Sequence, residues 1–399
     1  MIPFPQHLDV HYLVGSASLS AKPLEPYHPL VCDFLNALSS EIRSCPDACT
    51  HPDIMTFAFW CRASNIASLK AAFQDGMVRL GLGLAFHITP SNVPINFAFS
   101  YAFGLLSGNA NVVRVPSKAF PQTGILCDAI NRLFNDDKYA EIRAMTALVQ
   151  YHRNSHITSS FSKNCNARII WGGDDAIRKI RQFPVSERCV EMVFSDRYSF
   201  CVLDARSVTN LTDAKLKTLA RRFYNDTYLM DQNACSSPRL VVWLGKDKDQ
   251  AKKRFWQCVY DIVESNYSIC PVSVVDKYTQ WCLDAISLHD LAACRKSTNY
   301  LYRLSLDELP DNTHTLRGTC GYFYEYDTDD INSLAHIVNT RYQTMTYFGI
   351  DKPTLVAFVV DNRLKGIDRI VPIGAALDIS VIWDGYDVVE RLSRIVEVR

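Results

Sequence analysis

The sequence predicts an α/β protein with two doubly wound, largely parallel sheets and a small oligomerisation or tail element. Three observations predict it. After the first 75 residues, apolar runs bounded by Gly and Pro alternate with amphipathic stretches at helical spacing. Glycine-rich turns join them, as at Gly108-Asn109 and Gly172-Gly173. A second alternating block then opens near residue 206. The expected organisation is a cofactor-binding domain over 1–205 with a helical N-terminus, a catalytic domain over 206–372, and a tail over 373–399 that returns to the first domain.

The elements follow in order. PLVCDFLNALSSEIRS and NIASLKAAFQDGM space apolar residues as helices do. RLGLGLAFHITP reads as a buried strand. INFAFSYAFGLLSG reads as an apolar helix stopped by Gly108-Asn109. ANVVRVPSK is a second strand, and Pro121 opens a further helix. AMTALVQYH fits a strand or a helix end. ARIIWGG is a strand stopping at two glycines, DDAIRKIRQF a helix and RYSFCVLDA a strand. In the second block, TDAKLKTLARRFYNDTYLM is an amphipathic helix. RLVVWLG, YLYRLSL, GYFYEYD and TLVAFVV read as strands, with DDINSLAHIVN as a helix between the last two.

Composition excludes several classes. Lys+Arg and Asp+Glu both number 42, so the whole-chain charge makes no case for nucleic acid, whose binding rests largely on phosphate neutralisation. The longest apolar stretch, near 95–108, falls short of the ~20 residues a membrane span needs. No basic-then-apolar segment opens the chain, and the 14 cysteines form no disulfide framework. The expectation is a cytoplasmic protein with reduced thiols. Cys45, Cys49 and His51 form a run of soft ligands without a second pair, so no metal site is expected.

Two loops hold candidate chemistry. Most cysteines lie in apolar stretches, as packed and inert side chains do. Cys235 lies in the polar loop DQNACSSP between a helix and a strand, where a scaffold displays reactive groups. Context alone leaves it one candidate among 14. Asn92, between Pro90 and Pro94, is either a rigid amide donor or the cap of the following helix.

HITPSNVP, GLLSGNANVVRVPSK, a strand ending in WGG and the cysteine loop, in that order, resemble the aldehyde dehydrogenase superfamily. Within it, the sequence is most similar to the LuxC-type fatty acyl-CoA reductases of bacterial luminescence, which share HITPSNVP, GLLSGNANVVR and a segment like RIVPIGAALDISVIWDGYD. The resemblance covers roughly residues 75–399.

It implies an aldehyde-dehydrogenase-like fold and an acyl-cysteine mechanism. Cys235 matches the nucleophile, and Asn92 matches the side-chain donor to the oxyanion. Arg114, Ser117 and Lys118 match the edge of the adenosine pocket. Gly172 and Gly173 match the glycines that let the backbone approach the cofactor phosphates. Lys118 replaces an acid of many NAD-dependent relatives and is either a partner for a 2′-phosphate or a solvated surface residue. The cofactor expected is NADPH.

Departures refine the expectation. The position of the water-activating glutamate of aldehyde-oxidising relatives is Phe194, with Glu191 three residues off register. Asp174 stands where the cofactor-facing serine would be, and the acid of the ribose-binding segment is missing from HTLRGTCGY. Asn233 takes the usual glutamine position, with Gln232 one earlier. Without the glutamate, an acyl enzyme is hydrolysed slowly and waits for reduction. The expected activity is NADPH-dependent reduction of a long-chain acyl thioester, acyl-CoA or acyl-protein, to the fatty aldehyde. The alternatives are an aldehyde-oxidising dehydrogenase, a non-catalytic subunit on the same fold and a thiol-dependent acyltransferase. The resemblance further implies a homo-oligomer and an acyl-protein synthetase partner.

Overall fold

A computed structural model describes residues 2–3, 10–73, 76–90, 93–152, 155–288 and 291–399. The chain forms two compact units, Met1–Ser195 with Tyr386–Arg399, and Asp196–Gly385. The divisions fall at 195/196 and 385/386 rather than at 205/206 and 372/373. The strand Tyr198–Asp204 is hydrogen-bonded inside the second sheet, so it cannot close the first domain.

In the first unit, strands β1 (His11–Gly15), β2 (Leu84–Ile88), β3 (Ala110–Arg114), β4 (Thr146–Gln150), β5 (Ala167–Trp171) and β6 (Val190–Phe194) form one sheet in the order β1-β4-β3-β2-β5-β6. All neighbours are parallel except the edge strand β1. The chain winds outward through β3 and β4, then returns to lay β5 and β6 on the other side of β2. The topological switch point therefore lies between β2 and β5, where such sheets bind ligands beyond their carboxyl ends. Every residue of β2 is buried, as a strand covered on both faces requires.

RLGLGLAFHITP is not one strand. Gly83, at φ +127°, divides it into Val78–Gly81 and β2. Val78–Gly81 pairs antiparallel with Ser393–Val396 of the tail. AMTALVQYH supplies β4. The N-terminus is less helical than expected: helices Pro29–Arg43, Pro52–Trp60 and Ala63–Phe73 are present, but His11–Gly15 joins the sheet.

The segment GLLSGNANVVR is explained by packing. A Cβ on Gly104 would lie 1.8 Å from Asn111 Oδ1, and Gly108 turns at φ +79° against the Leu24 carbonyl. Asn109 accepts the Gly83 amide at 3.0 Å and donates to the Leu392 carbonyl at 2.8 Å. Asn111 Oδ1 meets His87 Nε2 at 2.9 Å, and His87 Nδ1 meets Ser100 Oγ at 2.7 Å. Burial holds that imidazole neutral by lowering its pKa to about 4.

In the second unit, β7 (Tyr198–Asp204), β8 (Leu240–Leu244), β9 (Leu291–Ser297), β10 (Leu301–Leu306), β11 (Tyr322–Thr328), β12 (Tyr342–Phe348) and β13 (Arg369–Pro372) form a sheet in the order β9-β10-β11-β8-β7-β12-β13. Only the β9–β10 pair is antiparallel. One cluster around Tyr198, Phe200 and Tyr342 packs on one face, and another around Phe223, Trp243 and Phe255 packs on the other.

Two expectations are corrected here. TLVAFVV is not a strand but part of the helix Lys352–Asp361. Asp351 caps it by accepting the Thr354 amide at 2.8 Å, Pro353 occupies its first turn, and Leu355 and Phe358 form its buried face. The β-branched run hid a helical period. DDINSLAHIVN holds only the short 3-10 turn Ile331–Leu334.

Candidate active site

The loop bearing Cys235 connects the helix Asp213–Thr227 and its 3-10 extension Tyr228–Met230 to β8. It is built in an unusual backbone: Asp231 and Gln232 both adopt positive φ, at 51° and 57°. Gln232 holds it there. Its Oε1 accepts the amides of Gly321 and Tyr322 at 2.7 and 3.1 Å. Its Nε2 donates to the carbonyls of Pro238 and Tyr322, both at 3.2 Å. A buried carboxamide with all four bonds made fixes a loop rigidly. Asn233, in the usual glutamine position, is exposed instead.

Further bonds fix the cysteine itself. Ser199 Oγ, on β7, donates to the Cys235 carbonyl at 2.7 Å and accepts the Thr344 amide at 3.1 Å. Ser237 Oγ donates to the Asp226 carbonyl at 2.7 Å. Ser199, Tyr322 and Thr344 all lie near the starts of their strands, so Cys235 sits at the amino edge of this sheet. The carboxyl-end rule locates the switch point of the first unit but not this thiol.

Cys235 is half-buried. Burial, with the Asp384 carboxylate and more distantly Asp196, pushes its thiol up to about 11, against a hydrogen bond from Gln343 and the Arg239 charge. Burial thus favours the thiol over the thiolate here. Asp384 is itself buried, and burial raises its carboxyl above the ordinary range despite a hydrogen bond from Gln343 Nε2. Gln343 therefore engages both groups.

Arg239, four residues after the cysteine, is 5% exposed. Its Nη2 donates to the Gln232 carbonyl at 2.8 Å, while Nε and Nη1 are buried without a protein partner. The hydroxyls of Tyr198 and Tyr342 are likewise buried and unpartnered, with ring centroids 5.3 Å apart. The Arg317 guanidinium stands 5.6 Å from the Tyr198 ring. Such groups are costly unless something satisfies them. Sequence reasoning missed Ser199, Arg239, Gln343 and Asp384. The signal for Asp384 was its place in RIVPIGAALDISVIWDGYD.

The residues expected to meet a cofactor lie in the first unit. Arg114 ends β3, its guanidinium 4.6 Å from the Tyr151 ring centroid. Ser117 and Lys118 follow it, both exposed, with Lys118 Nζ 5.1 Å from the Phe120 ring centroid. Gly172 and Gly173 leave β5, at the switch point. A Cβ on Gly173 would meet nothing within 4 Å, and one on Gly172 would touch only Ala176, at 3.6 Å. Packing does not demand either glycine. The helix they precede, Asp174–Arg181, opens with Asp174 and Asp175. Its N-terminus is therefore a poor anion site, so a cofactor phosphate here would have to be met by the glycine backbone. Asn92 lies outside the described residues.

Neither carboxylate reading near β6 provides a water activator there. Phe194 is buried and stacks on Trp171 with ring centroids 3.8 Å apart. Glu191 is bound to Arg168 at 2.5 Å and to Arg181 at 2.7 Å. Burial would raise its carboxyl, but those two bonds outweigh it and hold it below the usual range. Among the described residues, no three His, Cys, Asp or Glu are placed to hold a metal, and no helix is long and apolar enough to cross a membrane.

Comparison with known proteins bears on the family and the fold. A model of the acyl-CoA reductase (LuxC) family matches residues 70–395. The long-chain acyl-protein thioester reductase of Vibrio harveyi is 27% identical over 171 residues, 43% of this chain and 34% of that protein. The match thus spans about a third of that relative's length. Among solved structures, aldehyde dehydrogenase 21 from Physcomitrella patens superposes with a TM-score of 0.64 at 13% identity, over 93% of this chain and 86% of that one. A NAD-dependent benzaldehyde dehydrogenase from Corynebacterium glutamicum gives 0.57 at 16% identity, over 92% and 82%. Those structures share its aldehyde dehydrogenase fold, and the chain belongs to the LuxC acyl-CoA reductase family.

Proposed function

We propose that this chain is an NADPH-dependent reductase that takes a long-chain acyl group from a thioester and releases it as the aldehyde, with Cys235 as the acyl carrier. The observation that supports it most is the Cys235 loop. A half-buried thiol is fixed from Ser199 and Gln232, with a buried carboxyl, Asp384, linked to it through Gln343.

In the proposed cycle, Asp384 accepts the thiol proton. Arg239, whose Nε and Nη1 have no protein partner, steadies the thiolate. Cys235 sulfur attacks the thioester carbonyl and the Cys235 amide receives the oxyanion, with Asn92 assigned as a second donor by the resemblance alone; losing one such donor typically costs about 10²–10³ in rate. The carrier thiolate leaves and takes the proton from Asp384. NADPH, when bound, supplies the hydride that brings the acyl carbonyl to the aldehyde level. Cys235 then leaves the thiohemiacetal as the aldehyde is released. Arg114, Ser117 and Lys118 would hold the adenosine end of the cofactor, and Gly172 and Gly173 its phosphates.

An oligomer is part of this reading. The helix Pro271–Ser287 exposes Val272, Val275, Leu283 and Ile286, the last 80% exposed, a face suited to a second copy. An acyl-protein synthetase as acyl donor rests on the resemblance alone. The test is NADPH oxidation with a long-chain acyl-CoA. Equimolar aldehyde and free CoA are expected; acyl transfer or acid formation without NADPH consumption would contradict the reading.

A further inference from the structure

Two thiols outside the proposed reaction lie against each other. Cys165 Sγ and Cys189 Sγ are 3.8 Å apart. The fold holds them there, because they precede adjacent parallel strands. Cys165 stands two residues before β5, and Cys189 stands one residue before β6. The Val190 amide donates to the Asn166 carbonyl at 3.0 Å and ties the two segments together.

Their surroundings differ. Cys165 is 1% exposed and also lies 3.2 Å from the Ser162 carbonyl. Cys189 is half-buried, so a small oxidant in solvent meets it first. The Arg168 guanidinium, bound to Glu191, acts on both sulfurs. The close approach of the two sulfurs lowers the Cys189 pKa and raises that of Cys165, so the more exposed Cys189 ionises more readily. An accessible thiol beside a buried one has the arrangement of a peroxidatic and a resolving cysteine.

We propose that Cys165 and Cys189 are a hydroperoxide-reactive dithiol that closes to a reversible disulfide, separate from Cys235 and independent of its chemistry. In the first step, the Cys189 thiolate attacks the terminal oxygen of the hydroperoxide. The O–O bond breaks, the leaving alkoxide or hydroxide takes a proton from solvent, and Cys189 becomes a sulfenic acid. In the second, Cys165 sulfur attacks that sulfur. The S–S bond forms, the S–O bond breaks, and the departing hydroxide takes the Cys165 proton as water. Two thiols lose two electrons, and the hydroperoxide is reduced to water and an alcohol or a second water. The disulfide ties β5 to β6 and closes a loop that contains Gly172 and Gly173. Such a loop closure restricts the unfolded chain and stabilises the unit.

The full chain is treated with hydrogen peroxide, unfolded, blocked with iodoacetamide and digested. The expected product is one peptide pair joined through Cys165 and Cys189, released by dithiothreitol. Oxidation also raises the thermal midpoint by several degrees, and reduction restores it. In Cys165→Ser the Cys189 sulfenic acid persists and is captured by dimedone. In Cys189→Ser the link is absent and Cys165 stays a thiol, and neither substitution changes basal activity. Iodoacetamide on both cysteines of the peroxide-treated wild type would overturn the proposal. So would a lasting Cys189 sulfenic acid beside a free Cys165 thiol, or a linked peptide that forms equally well in Cys189→Ser through another cysteine.

Discussion

Ser199 Oγ donates to the backbone carbonyl of Cys235 at 2.7 Å. Through the Thr344 amide, the same oxygen joins the cysteine loop to β12. Ser199 touches no atom of the proposed reaction, so it acts as a positioning residue. Ser199→Ala is expected to lower kcat about tenfold through looser placement of the sulfur, with KM little changed. Ser199→Thr restores part of the rate. Steady-state kinetics on the two variants check this.

Cys235 should behave as a thiol of raised pKa. With its pKa pushed up to about 11, alkylation of the free protein rises with pH through the alkaline range rather than levelling near neutrality. Asp384→Asn removes a carboxylate that opposes the thiolate, so the midpoint moves down and alkylation at about pH 9 speeds up. The same variant loses a proton acceptor, and acyl transfer is expected to fall roughly 10²-fold. Opposite changes in the two rates separate a proton acceptor from a merely structural acid. Arg239→Met moves the alkylation midpoint the other way. Stopped-flow alkylation across pH measures both.

Gln232 carries a stability prediction. Gln232→Ala leaves the Gly321 and Tyr322 amides and the Pro238 and Tyr322 carbonyls without their partner. The expected loss is about 3 kcal/mol in denaturant unfolding. Asn233→Ala, at an exposed position, is expected to change stability by less than about 0.5 kcal/mol.

Lys118 separates the two nicotinamide cofactors. If it pairs with a 2′-phosphate, Lys118→Ala weakens NADPH binding about tenfold and leaves NADH binding unchanged, with the difference shrinking in salt. Fluorescence titration with both nucleotides checks this. Equal weakening would assign Lys118 to a shared part of the cofactor.

The sequence exposed some of this architecture because local chemistry and fold agreed. Gly108-Asn109 stops its helix, and the glycine turns at positive φ there. The loop around Cys235 stood out because polar residues interrupt an apolar block. Other features depend on contacts remote in sequence. Asp384 meets Gln343 from 41 residues away, and only the folded chain brings that carboxyl to the thiol. Phe358 and Leu355 turn a β-branched run into a helix by burying one face. The strand His11–Gly15 exists because β4 offers it an open edge more than 130 residues on. Unpartnered groups such as Arg239 Nε leave no mark in a sequence at all.

Transfer of a radiolabelled long-chain acyl group from CoA to the chain, without NADPH, tests the role of Cys235 most directly. One equivalent of label is expected on the peptide containing Cys235, none in Cys235→Ala, and its release as aldehyde once NADPH is added. Equal labelling of Cys235→Ala, or label that leaves as fatty acid on addition of NADPH, would contradict it.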